Sequence, residues 1–250
     1  MASIGFLGCG TIGKAMVKHI KTQKDHSVVF VQDPSFTNNG HVDCPIVKQL
    51  DETVCKADLI VESATSDALT QHFEYYIQQG DMLIFSVTAF SDQEFAEKAY
   101  ALSKRYNRRI YFPHGAILGL DGIFDARDFL NSVVIETVKN PKSLGREDTK
   151  RTVIYKGCTK DACELFPRNV NVHAAIALAG IGFEKTFSKV ISDPAVNTNS
   201  HTIWIEGEGI RSRLDISSFS TGGITGQYTP ASACGSLDRI LGGRTAYQFV

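Results

Sequence analysis

The feature that most constrains this chain is a glycine loop set between a strand pattern and a helix pattern. Ile4-Gly5-Phe6-Leu7 is a short apolar run of strand type, and Lys14-Ala15-Met16-Val17-Lys18-His19-Ile20 has the spacing of an amphipathic helix. Between them runs Gly8-Cys9-Gly10-Thr11-Ile12-Gly13, a G-x-G-x-x-G sequence. Alone that pattern is weak; a strand before it and a helix after it supply a mechanism. Gly8 permits a tight turn, Gly10 lets a pyrophosphate approach the backbone, and Gly13 lets helix and strand pack closely. The helix start at Thr11 and Ile12 presents free N–H groups and the positive end of the helix dipole, which suit phosphate. The alternative is an ordinary glycine-rich turn that binds nothing.

A second buried-strand pattern, residues 27–33, ends in Asp33, about 20 residues beyond Gly13. A carboxylate at that offset accepts hydrogen bonds from the adenosine ribose, and it would repel a 2′-phosphate, so it favours NAD over NADP. Residues 34–39, Pro-Ser-Phe-Thr-Asn-Asn, carry no Arg or Lys to hold such a phosphate. NADP stays open through the Ser, Thr and Asn donors there. Asp33 has a plainer alternative role, capping the turn before Pro34.

Strand and helix patterns then alternate. Residues 57–62 read as a third strand, 67–79 as a helix capped by Ser66 or Asp67 and stopped by Gly80, and 81–87 as a fourth strand. Residues 92–106 read as a helix and 109–112 as a fifth strand. Such alternation implies a parallel sheet covered on both faces, with ligands bound beyond the carboxyl ends of its strands. Ser63 and Ala64 lie just beyond one such end, and His114 beyond another. Residues 132–138, 152–155, 187–191, 201–206 and 212–218 instead alternate apolar with polar positions, as in an open antiparallel sheet covered on one face. An Ala-rich helix over about 170–181 is the expected cover. The fold class is thus α/β: an N-terminal Rossmann dinucleotide-binding domain over 1–115, then a C-terminal α+β domain over 116–228 built on a mostly antiparallel sheet. A last helix, within about 229–250, is expected to return to the first domain.

Composition narrows the partners. A formal net charge of -1 over 250 residues gives no electrostatic case for nucleic acid or an anionic membrane. Met1-Ala2-Ser3 leads straight into the first strand, and the most apolar stretch, 172–183, is too short to span a bilayer. The six cysteines form no C-x-x-C pair, which points to reduced thiols in a cytoplasmic protein and to no metal site.

Three further segments carry a family likeness. They are Pro113-His114-Gly115-Ala116-Ile117-Leu118-Gly119-Leu120-Asp121, Phe166-Pro167-Arg168-Asn169-Val170-Asn171-Val172-His173, and Asp193-Pro194-Ala195-Val196-Asn197-Thr198-Asn199-Ser200-His201. With the glycine loop, they make nearly the whole chain resemble the L-aspartate dehydrogenase family. The resemblance implies an enzyme that moves hydride between a nicotinamide coenzyme and the α-carbon of an amino acid, giving an imine that hydrolyses to keto acid and ammonia. It also implies a C-terminal domain for substrate and dimerisation, a homodimer, coenzyme contacts at Ala116 and Asn171, and catalysis by His201.

The chemistry can be argued beside the likeness. Hydride leaves an amine carbon once the ammonium has lost a proton, and the imine then needs an activated water; histidine suits both tasks. On its own residues, His201 reads as a solvent-facing strand histidine, and the resemblance reverses that reading. Asn199 is placed to orient the imidazole or a substrate carboxylate, His114 to line the nicotinamide pocket, and Arg168 or Lys185 to pair with a substrate carboxylate. His173 reads as structural, and His19 as a surface residue. The chain departs from the family at Gln227-Tyr228-Thr229-Pro230-Ala231-Ser232, where an N-P-K-T-S run is usual. That departure keeps two alternatives open: a related dehydrogenase for another amino acid, imine or carbonyl, and a non-catalytic nicotinamide-nucleotide sensor.

Overall fold

The computed structural model describes residues 1–38, 42–49, 56–219 and 226–242, and the chain divides into two units: Met1–Pro113 with Pro230–Val250, and His114–Thr229. The first unit contains β1 (Ala2–Leu7), α1 (Thr11–Lys21), β2 (His26–Gln32), β3 (Ile46–Val47), β4 (Leu59–Glu62), α2 (Ser66–Gln79), β5 (Asp81–Ile84), α3 (Gln93–Arg105) and β6 (Ile110–Tyr111). Its strands form one sheet in the order β3-β2-β1-β4-β5-β6, every pair parallel. The order reverses between β1 and β4, the place where sheets of this kind bind ligands outside their carboxyl ends. All four residues of β4 are buried, as a central parallel strand requires.

The local chemistry explains the helix ends. Asp92 caps α3 by accepting from the N–H groups of Glu94 and Phe95. The cap of α2 is Thr65, whose hydroxyl accepts from Ala68 N at 3.2 Å, rather than the expected Ser66 or Asp67. The fourth strand stops at Ile84, and Val87–Ser91 winds into a 3-10 turn instead of extending it.

Helix α7 (Tyr228–Ile240) sets Ala233 and Leu237, one turn apart, into the core formed by Ile4, Phe6, Met16, Val17 and Ile20. His19, expected at the surface, sits with its Nε2 2.8 Å from the Asp238 carboxylate, which ties α1 to α7.

The second unit contains α4 (Leu120–Ala126), β7 (Leu130–Lys139), β8 (Thr152–Cys158), α5 (Thr159–Leu165), α6 (Asn171–Ala179), β9 (Phe187–Ser192), β10 (Thr198–Gly207) and β11 (Ile210–Phe219). Its sheet runs β11-β10-β7-β9-β8. Here the expectation of a mostly antiparallel sheet is corrected: β7 and β9 pair in parallel at its centre, so the sheet is mixed. Alternating side chains report which face a strand buries and are silent about its direction. Direction follows from the connection, and between β7 and β9 the chain inserts β8, α5 and α6, enough to bring it back to the starting end.

The buried face of β7 carries Val133, Ile135, Thr137 and Lys139, and that of β10 carries Asn199, His201, Ile203 and Ile205. Helix α6 buries His173 through Ala177 and covers this face, reaching it through hydrogen bonds from His173.

Candidate active site

In the first unit the glycine loop is held between two strands. Gly8 donates to Gln32 O at 2.9 Å, and its carbonyl accepts from Ser63 Oγ at 2.9 Å. Gly8 has φ +81, and a Cβ there would lie 2.7 Å from Ala64, so glycine is required both by conformation and by space. A Cβ on Gly13 would lie 2.9 Å from Gly8 O and 3.0 Å from Ser63 Oγ. A Cβ on Gly10 would meet nothing within 4 Å. Helix α1 begins there with no side-chain cap and no acidic residue in its first turn. An open, uncapped helix start beside a tightly packed turn fits the pyrophosphate of a dinucleotide.

Two carboxylates brace this loop. Asp33 accepts from Cys9 N at 2.7 Å, from Ser35 N and Oγ at 2.8 Å each, and from Phe36 N at 3.1 Å. Burial acts to raise its pKa, but these hydrogen bonds prevail and hold it below the usual carboxylate range. Asp33 therefore caps the turn and clamps the glycine loop. Glu62, in a segment flagged by its place just beyond a strand but given no role, is fully buried and accepts from Ala64 N, Ser86 N and Ser86 Oγ at 2.8–2.9 Å. Burial raises its pKa against those bonds. It fixes the loops beyond β4 and β5.

Lysines also reach this region from beyond residues 34–39. Lys48 Nζ donates to the carbonyls of Phe36 and Asp33, and Lys14 Nζ lies 5.8 Å from the centre of the Phe36 ring. Cys9 is buried, and burial with the nearby Asp33 pushes its thiol up to about 11, which makes it a poor nucleophile.

In the second unit, strand register puts His201 opposite Thr137. His201 is 4% exposed, which overturns a solvent-facing reading. Its Nδ1 lies 2.8 Å from Thr137 Oγ1, and that oxygen is also 2.6 Å from His173 Nε2. His173 Nδ1 is 2.8 Å from Ser188 Oγ, which is 2.7 Å from Thr159 Oγ1. Among the described residues no carboxylate joins this series of hydrogen bonds. Burial, with a smaller contribution from Lys139, pushes the His201 pKa down to about 3. His173 lies well below its ordinary value, mainly through burial.

Lys139 shares the buried face with Thr137 and is 4% exposed. Its Nζ donates to Asn169 O at 3.2 Å, and burial pushes its pKa down to about 8. Sequence reading passed over it, although a lysine two residues after Thr137 in a strand of alternating burial is a visible signal.

The remaining candidates are more dispersed. Asn199 is buried two residues before His201 on the same face of β10. Asn171 opens α6 and is half-buried, as are His114 and Ala116 in the loop after β6. Arg168 and Lys185 are exposed. Among the described residues, no three His, Cys, Asp or Glu side chains gather as a metal site, and no helix is long and apolar enough to cross a membrane.

Residues 121–240 match the aspartate dehydrogenase C-terminal family, and residues 8–113 match the NAD-binding domain family of homoserine dehydrogenase. An L-aspartate dehydrogenase of Methanosarcina mazei is 33% identical over 229 residues, covering 83% of this chain and 84% of that protein. The L-aspartate dehydrogenase of Thermotoga maritima is 35% identical over 202 residues, 80% of each chain. This chain belongs to the L-aspartate dehydrogenase family. A crystal structure of the Thermotoga maritima family member has a TM-score of 0.79 at 28% identity, covering 99% of this chain and all of that one. Likeness of fold extends past the family: a scyllo-inositol dehydrogenase of Lactobacillus casei reaches a TM-score of 0.56 at 10% identity, covering 96% of this chain and 89% of that one.

Proposed function

We propose that this chain is a nicotinamide-dependent L-aspartate dehydrogenase that converts L-aspartate, water and oxidised coenzyme to oxaloacetate, ammonium and reduced coenzyme with release of one proton, and runs the reverse. The observation that carries the reading is the neutral, nearly buried imidazole of His201 in a family member. Among the described residues only its Nδ1 has a hydrogen-bond partner, so Nε2 is left for substrate.

The first unit would hold the coenzyme through Gly8, Gly10, Thr11, Ile12 and Gly13, with Ser63 and Ala64 beyond β4; Ala116 and Asn171 of the second unit are coenzyme contacts by the family resemblance. When bound, the coenzyme would supply a hydride acceptor for the substrate α-carbon. His201 takes a proton from the substrate ammonium at Nε2 and releases it to solvent as the one proton of the overall reaction. Neutral again, it takes a proton from the water that adds to the imine carbon and passes it to the departing amine. Lys139 pairs with a substrate carboxylate, a role for which a buried ammonium with a single carbonyl partner is suited. Arg168 is the alternative cation, and His114 and Asn199 line the same substrate. Burial is the main cause of the depressed imidazole, and incoming carboxylates would offset only the smaller one, the Lys139 charge.

NAD is the coenzyme favoured by Asp33. The donors already committed to that carboxylate, with Lys48 and Lys14 beside it, leave NADP as an accepted second coenzyme. Exposed Phe124, Phe129 and Phe219 on the second unit are consistent with a homodimer.

The test is coenzyme reduction by the purified protein at alkaline pH with L-aspartate, beside a panel of other amino acids and of keto acids with ammonia. A signal confined to another substrate moves the assignment to a related dehydrogenase, a reading favoured by the altered Gln227–Ser232 segment. Tight NADH binding with no turnover anywhere on the panel makes the protein a sensor.

A further inference from the structure

We infer that the buried side-chain chain Thr159–Ser188–His173–Thr137 positions His201 by fixing its tautomer, with the proton on Nδ1 and the free electron pair on Nε2. The inference deepens the reading of His201 as the base and rests on it. Its starting point is the Thr186 carbonyl, which can only accept. Thr159 Oγ1 donates to that carbonyl at 3.0 Å, which uses its one proton. Thr159 Oγ1 must then accept from Ser188 Oγ, 2.7 Å away. Ser188, its own proton used, must accept from His173 Nδ1–H at 2.8 Å. Neutral His173 has one N–H, so its Nε2 accepts from Thr137 Oγ1 at 2.6 Å. Thr137 in turn must accept from His201 Nδ1–H at 2.8 Å. Each step leaves one choice, and the last delivers a bare Nε2.

Running the chain the other way would point two oxygen lone pairs at each other between Thr159 Oγ1 and Thr186 O and lose one of the five side-chain hydrogen bonds, while Thr186 O kept the N–H of Thr159 at 2.9 Å. Burial, and after it the charge of Lys139, disfavours a second proton on either ring. No proton needs to travel along the chain: when Nε2 takes the substrate proton, Nδ1–H still donates to Thr137. The four side chains are positioning residues, acting through His201 and touching no substrate. Tautomer control of this kind is decisive wherever a histidine base must present one particular nitrogen.

The experiment is imidazole nitrogen NMR on selectively labelled protein without substrate, joined to steady-state kinetics. His201 in the unaltered protein should carry its proton on Nδ1. Thr137→Val, which keeps shape and removes the hydroxyl, should bring up the Nε2–H form and lower kcat about tenfold with KM little changed. Thr137→Ser should restore both. Ser188→Ala, two links away, should shift the same His201 signals and serves if Thr137→Val does not fold. A proton on Nε2 in the unaltered protein, or variants that lose thermal stability while tautomer and kcat stay as they were, overturns the inference. His201→Ala separates it from the functional reading: retained turnover there removes the base, whatever tautomer the resonances report.

Discussion

His201 of β10 and Thr137 of β7 are direct cross-strand partners, with Nδ1 and Oγ1 2.8 Å apart on the covered face of the sheet. A base fixed at one nitrogen by a neighbouring strand is held more rigidly than one on a loop. His201→Ala should therefore lower kcat for aspartate oxidation by at least about a hundredfold, the usual contribution of a positioned base. NADH affinity, read by fluorescence titration, should be unchanged; a comparable loss of both would assign His201 to coenzyme binding instead.

Lys139 is buried with one carbonyl partner among the described residues, and holding its charge there opposes folding. Its pKa is depressed to about 8, so stability rises with pH from about 8 toward the unfolded value near 10.4, and at pH 7 the charge costs on the order of 2–3 kcal/mol. Lys139→Met should raise the thermal midpoint at pH 7 and, at the same time, raise KM for aspartate about tenfold or more. Arg168→Ala measured alongside decides between the two cations.

His173 and His201 are neutral in the folded protein and titrate near 6.5 once unfolded. Their contribution to stability is fully present above about pH 6.5 and declines as pH falls toward the folded value, about 3 for His201. Between pH 7.5 and pH 5, urea unfolding should show a loss of about 2 kcal/mol from His201, with a further loss in the same direction from His173. His201→Gln should flatten that dependence.

Gly8 and Gly10 should separate structure from binding. Gly10→Val places its side chain in open space, so the thermal midpoint should hold while NADH affinity falls at least about tenfold. Gly8→Ala forces a positive φ and a contact with Ala64, and should lower the midpoint by several degrees.

Lys48 reaches the carbonyls of Asp33 and Phe36. Lys48→Ala should lower kcat/KM with NADP several-fold and leave that with NAD nearly as it was. Equal losses with both coenzymes would make the lysine a brace for the turn.

Local patterns made much of the first unit legible. The glycine loop, the alternating elements and the acid at Asp33 are each encoded within some thirty residues of chain, where periodicity and turn chemistry act directly. Asp33 could be singled out from its offset to the glycine loop, while its four protein donors were not visible, because Cys9 meets it only after β1 and β2 pair. His201 was singled out through a resemblance, since nothing in its neighbours distinguishes a buried strand histidine from an exposed one.

By itself the sequence determined where most strands and helices form, since those depend on spacing along one stretch of backbone, but not the short β3, α4 and α5, nor that His201 faces inward. Tertiary structure alone decided that β7 and β9 run parallel, that Lys139 is buried beside the site, and that His201 meets Thr137 and, through it, His173. These pairings join residues 36 and 64 positions apart. Strand register and helix docking select such partners, and both are set by burying the whole face together rather than by any local pattern.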